Sequence, residues 1–198
     1  MSDLDDGTPP KTPSRRMGDP SVHYPWTTAT RFRLIRFFKD LWSLVDRRVK
    51  ISRIEESLYV GGKLTPKRVA FLRAHGVRAV VSLQEETLDP MLDLDAHLWL
   101  PSHDGRPPTP SQLLFGARFI QAQIDAGRTV YVHCHAGVGR APTLVAVYLV
   151  LRGASPDEAI ARIKAARRQV RMRRAQLDAV YACTEALSSL PRRAPLEA

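Results

Sequence analysis

The sequence has little cysteine, little lysine and no long apolar run. Two cysteines, Cys134 and Cys183, in 198 residues are too few for a disulfide scaffold. No stretch reaches the roughly eighteen uninterrupted apolar residues that a membrane span requires. The opening Met1 to Asp6 is acidic where a secretory signal is basic, so the expected location is the cytosol or the cytosolic side of a membrane. Six lysines stand among the thirty basic residues. Arginine suits two-pronged phosphate contacts, but codon bias in a GC-rich genome gives the same excess, so the preference alone locates no site.

What is present is enough for a core. Apolar residues make up 44% and charged residues 25%, which fits one ordinary folded domain with an appendage. The net charge of +10 is local. Residues 31–53 carry eight basic and two acidic side chains (+6), and residues 162–174 carry seven basic and none acidic (+7), which leaves the rest at −3.

Residues 1–28 hold five prolines among small and polar residues and read as a disordered arm. In residues 29–50, Leu34, Ile35, Phe38, Leu41, Trp42, Val45 and Val49 follow helical spacing, with basic residues opposite. That helix has two readings: it docks on the domain, or it lies on an anionic membrane surface with its arginines at the headgroups. From 51 to 190 the pattern alternates between strand and helix, and 191–198 is a tail. Strands are expected at Ile54–Val60, Val77–Leu83, His97–Leu100 and Arg128–His133. Helices are expected from Thr65-Pro66 to Ala74, Ser111 to Ala126, Ala141 to Leu151, after Ser155-Pro156, and Arg174 to Leu187. The expected fold is α/β, a mainly parallel sheet of about four to five strands with helices on both faces.

The chemistry is concentrated in Thr129-Val-Tyr-Val-His-Cys-His-Ala-Gly-Val-Gly-Arg-Ala-Pro-Thr143. A buried strand ends at His133, Cys134 follows, and five residues later Arg140 opens a helix. Ala136, Gly137 and Gly139 let the backbone curl and aim successive N–H groups inward, a nest for a tetrahedral dianion. The helix start adds its positive dipole end and Arg140 a planar fork of donors. Such donors favour the thiolate, the nucleophilic form of cysteine. The plain alternative is a structural strand–turn–helix with a buried cysteine. A Cys and an Arg six apart are common, but a strand, internal glycines and a helix around them are not.

His133-Cys134-x5-Arg140 resembles the signature loop of the cysteine-dependent protein tyrosine and dual-specificity phosphatases. Ser52 to Gly61, Val77 to Leu83 and the loop around Asp104 resemble segments of small dual-specificity domains. Gln84-Glu85-Glu86-Thr87, Ser155 to Ile160 and Arg174-Ala-Gln176-Leu177 are similar to the mitochondrial-type phosphatases acting on phosphatidylglycerophosphate. The resemblance covers about residues 53–187. It implies a dual-specificity-like fold and hydrolysis of phosphate monoesters through a phosphocysteine, with Cys134 as nucleophile. His135, Ala136, Gly137, Val138, Gly139 and Arg140 would hold the phosphate. One position departs from the pattern: Ala141 stands where a Ser or Thr usually helps the thiolate leave, and Thr143 lies two further on.

The expected acid is Asp104, in the loop Pro101 to Pro108, with Asp93 and Asp95 as competitors. His133 is expected to buttress Cys134, and Gln176 resembles a position near the attacking water. Glu85 and Glu86 either brace Arg140 or form a solvated turn. His75 and His97 have no partner at ligand spacing, so neither metal nor cofactor is expected. The expected substrate is a phosphoprotein, a phospholipid such as phosphatidylglycerophosphate, or an inositol phosphate. Ala141 keeps open a phosphate-binding module with little turnover. The basic patches keep open an RNA 5′-phosphatase, but no interleaving of aromatic and basic residues surrounds the site, which argues against nucleic acid.

Overall fold

The computed structural model describes residues 50–90 and 92–189. The expected arm 1–28, the helix placed at 29–50 and the tail 191–198 lie outside these, save for Lys50. Five strands form one sheet: β1 (Ser52–Glu55), β2 (Leu58–Gly61), β3 (Val77–Ser82), β4 (Ala96–Trp99) and β5 (Thr129–His133). Their order is β1-β2-β5-β3-β4, with β1 antiparallel to β2 and every other pair parallel.

The expected single strand Ile54–Val60 is instead a hairpin, β1 and β2 joined at Glu56 and Ser57. Glu55, Glu56 and Ser57 interrupt the apolar run without the Gly, Asn or Pro that usually announces a turn. β1 is a half-exposed edge, while β2 is wholly buried.

The helices are α1 (Pro66–Ala74), α2 (Pro110–Asp125), α3 (Arg140–Leu151), α4 (Pro156–Ala166) and α5 (Arg174–Ser189). Thr65, Thr109 and Ser155 cap the first, second and fourth, each with proline just inside; the pairs at Thr65 and Ser155 were expected from the sequence, while the second helix starts one residue before the expected Ser111, on its Thr109-Pro110 cap. Period-two alternation sorts the strands onto two cores. Leu58, Val60, Ala79, Val81, Val130 and Val132 face α2, α3, α4 and α5. Tyr59, Val80 and Tyr131 face Phe71 and Leu72 of α1. Residues 140–149 of α3 are all buried, as a helix apolar all round should be.

Because β2, β3, β4 and β5 run parallel, their C-terminal ends share one sheet edge. The segments that follow them, 62–65, 83–90, 100–109 and 134–139, therefore converge there. In open parallel sheets that edge is where ligands bind.

Candidate active site

Cys134 follows the central strand β5 and is 2% exposed. Residues 134–139 turn back into α3, and the Gly137 N–H donates to Cys134 Sγ at 3.2 Å. The loop's shape follows from its carbonyls, of which those from His135 to Gly139 are each held by a donor. His135 O accepts from Lys63 N at 2.9 Å, Val138 O from Arg171 N at 2.8 Å and Gly139 O from Thr143 N at 2.9 Å. Gly137 O accepts from Arg167 Nε at 2.7 Å and Ala136 O from Arg167 Nη2 at 3.4 Å. With these oxygens drawn toward neighbours, the Gly137 N–H is left to face the sulfur. Gly137 is required twice over: its φ is +69°, and a Cβ there would collide with the backbone carbonyl of Gly61.

Arg140 is 1% exposed, a cost that four acceptor groups offset, the Leu83 carbonyl at 3.4 Å among them. Its Nη2 lies 2.7 Å from Glu86 Oε1 and 3.0 Å from Asp104 Oδ1, and its Nη1 donates to Ser102 O at 2.7 Å. Its Nε is buried with no hydrogen-bond partner, a donor held for something else. Burial works against the Arg140 charge, but the hydrogen bond to Glu86 and the neighbouring Cys134 outweigh it and raise the guanidinium above its ordinary pKa. Arg140 in turn holds Glu86 down at about 2. Of the two readings for this pair, Glu86 braces Arg140, while Glu85 pairs with His103 at 2.7 Å.

Asp104 is brought to the site, 77% exposed and paired with Arg140. Asp93 and Asp95 are not: both pair with Arg78, near the start of β3 and away from the strand ends. Gln176 is buried against Gly139. It accepts from Arg173 N and donates to Arg106 O at 3.1 Å, which ties the Asp104 loop to α5. Thr143 donates its hydroxyl proton to Gly139 O at 3.0 Å, so it serves the loop backbone. Ala141 is fully buried, and the His135 and Ala136 side chains are exposed at the mouth.

His133 is buried and its Nε2 meets Asp89 Oδ2 at 3.0 Å. Nothing local in the sequence marks Asp89, 44 residues upstream of His133. Nor does anything distinguish Arg167, one charge in a basic run by sequence yet 2% exposed beneath the loop. Among the described residues no group of three His, Cys, Asp or Glu is placed to hold a metal ion.

A parallel sheet whose central strand ends in a cysteine loop closed by a buried arginine defines a class, the phosphatases of tyrosine and dual-specificity type. The family model described as "Polymorphic toxin system, DSP-PTPase phosphatase" matches residues 56–154. The chain belongs to this DSP-PTPase family and lies near its PTPMT subgroup. It is 32% identical over 136 residues to the Arabidopsis thaliana phosphatidylglycerophosphate phosphatase PTPMT1, covering 65% of this chain and 40% of that protein. It is 38% identical to the Leishmania major protein tyrosine phosphatase PRL-1, covering 52% of this chain and 66% of that one. The chain thus spans less than two thirds of these relatives. A crystal structure of PTPMT1 in complex with PI(5)P superposes with a TM-score of 0.65 at 27% identity, over 71% of this chain and 97% of that one.

Proposed function

We propose that the chain hydrolyses phosphate monoesters through a phosphocysteine at Cys134. The supporting observation is the loop at 134–139, whose carbonyls from His135 to Gly139 are each held by a neighbour and whose Gly137 N–H donates to Cys134 Sγ, with the buried Arg140 at its exit. In the first step Cys134 Sγ attacks phosphorus, the S–P bond forms, the P–O ester bond breaks, and the departing oxygen takes a proton from Asp104. In the second step water attacks phosphorus and gives its proton to Asp104. The S–P bond breaks and orthophosphate leaves. The loop N–H groups and Arg140 bear the charge on the equatorial oxygens throughout.

The substrate is a phosphoprotein or a phospholipid such as phosphatidylglycerophosphate. The named activities of the PTPMT1 and PRL-1 relatives support these two classes. A second reading rests on Ala141: with no hydroxyl there and that of Thr143 committed to Gly139, the second step slows and the chain tends toward a phosphate binder.

Phosphate release from an aryl phosphate tests both. Wild type turns over, Cys134→Ser is inactive, and Asp104→Asn loses on the order of 100-fold in kcat. Turnover by Cys134→Ser rejects the mechanism. A stoichiometric burst without turnover in wild type selects the second reading. A panel of phosphotyrosine peptides and phosphatidylglycerophosphate vesicles then separates the substrate classes.

A further inference from the structure

We propose that Asp89 is a positioning residue for the nucleophile, acting through His133; this rests on the reading of Cys134 above. The Asp89 side chain is 2% exposed and carries three donors: His133 Nε2 at 3.0 Å and His97 Nε2 at 3.3 Å on Oδ2, and Gln84 Nε2 at 2.8 Å on Oδ1. A buried carboxylate is costly unless so paired, and this one is fully paired. His133 is the residue before Cys134. Its ring stacks on Tyr131 at 5.4 Å, and its Nδ1 is buried with no partner, so Asp89 provides its one side-chain hydrogen bond.

The segment that carries Asp89 also carries Glu86. One stretch, 84–89, thus holds both ends of the phosphate loop: Asp89 grips His133 at its entry and Glu86 grips Arg140 at its exit. The two grips serve different steps. The amides that would hold phosphate are set by Lys63, Arg167, Arg171 and Thr143, which do not touch Asp89. Asp89 therefore governs where Cys134 Sγ points, not how phosphate binds. Losing it lowers the reactivity of the sulfur and leaves phosphate affinity in place.

The test is a split between chemistry and binding in the full chain. Asp89→Ala is expected to lower kcat on an aryl phosphate about tenfold, with a matching fall in the rate of Cys134 alkylation by iodoacetamide at a fixed pH. Its inhibition constant for orthophosphate stays within about twofold of wild type. Asp89→Asn keeps an oxygen acceptor for the Nε2–H and recovers most of the loss. His97→Gln, which alters the same carboxylate from its solvent side, stays near wild type. The proposal is overturned by unchanged kcat and alkylation in Asp89→Ala, by orthophosphate affinity falling in parallel with kcat, or by Asn being no better than Ala. Should the alanine variant not fold, the asparagine variant and His133→Gln carry the same comparison. Alkylation is read without turnover, so a wild type that alkylates but does not hydrolyse defeats the parent reading and leaves this one standing.

Discussion

Glu86 shows how a single side chain ties the site to pH. Its carboxyl accepts from both terminal nitrogens of Arg140, Nη2 at 2.7 Å and Nη1 at 3.3 Å, and is held at about 2 where an ordinary glutamate titrates at 4.5. Burial alone pushes the carboxyl of Asp89 up, yet His133 and His97 outweigh it and hold it well below its usual range. A depressed folded-state pKa means the folded protein binds the proton less readily than the unfolded chain. The stability these pairs contribute is therefore fully present above the unfolded values. It is lost as pH falls from about 4.5 toward 2 for Glu86 and lower still for Asp89. Glu86→Gln removes its share of that dependence. Urea unfolding across this range should show a shallower loss of stability on acidification than wild type, with the two proteins converging at the acid end. A variant as steeply acid-sensitive as wild type would show that Glu86 is not the group responsible. The same substitution leaves Arg140 with less negative charge to oppose its own.

At the scale of elements, the connection from α4 to α5 forms the underside of the phosphate loop. Arg167 reaches from it to Gly137 O, Ala136 O, Lys50 O and Ser52 Oγ, and so fastens the loop to the start of β1. Hydrogen bonds from a charged donor are worth about 1.5–3 kcal/mol each, and no neutral side chain replaces the fork. Arg167→Met should weaken orthophosphate inhibition about tenfold or more while far-ultraviolet circular dichroism stays that of wild type. Unchanged inhibition would mean the remaining anchors suffice. This residue also marks the limit of sequence reading. The cap-proline pairs at Thr65 and Ser155, the stop glycines and the apolar periodicity are local signals, and together they located the helices and all the strands but the hairpin, where Glu55-Glu56-Ser57 turns without a glycine. Cys134, Arg140 and the glycines between them are contiguous and could be read directly. Arg167 and Asp89 are joined to the loop only by tertiary structure. In sequence Arg167 is one of seven like charges, and Asp89 is one carboxylate in a polar turn. Asp104 and Gln176 were reachable only through resemblance to a family, and what placed them beside Arg140 is the convergence of separate strand ends and α5.

For the whole molecule, the structure divides the positive charge by use. Of the patch at 162–174, Arg167 is internal, Arg162 pairs with Glu55 at 2.9 Å and Arg174 with Asp178 at 2.8 Å. That patch is thus partly scaffold, and it offers a partner less than its count suggests. The stretch 31–50, whose sequence sets apolar residues such as Trp42 at helical spacing among basic ones, then becomes the stronger candidate for an acidic surface. We propose that it holds the protein peripherally on an anionic membrane, on the cytoplasmic side. Each basic side chain near such a surface contributes about 1 kcal/mol and is screened by salt. The full chain should therefore float with phosphatidylglycerol-containing vesicles at low salt and much less so at high salt. Removing residues 1–49 should abolish flotation while leaving hydrolysis of a soluble aryl phosphate within about twofold, because Lys50 and every group placed in the site lie beyond the cut. Equal flotation of the two forms would transfer membrane binding to the phosphatase domain and its remaining exposed arginines. Flotation lost together with soluble activity would instead show that the segment docks on the domain, the other fate open to an amphipathic helix.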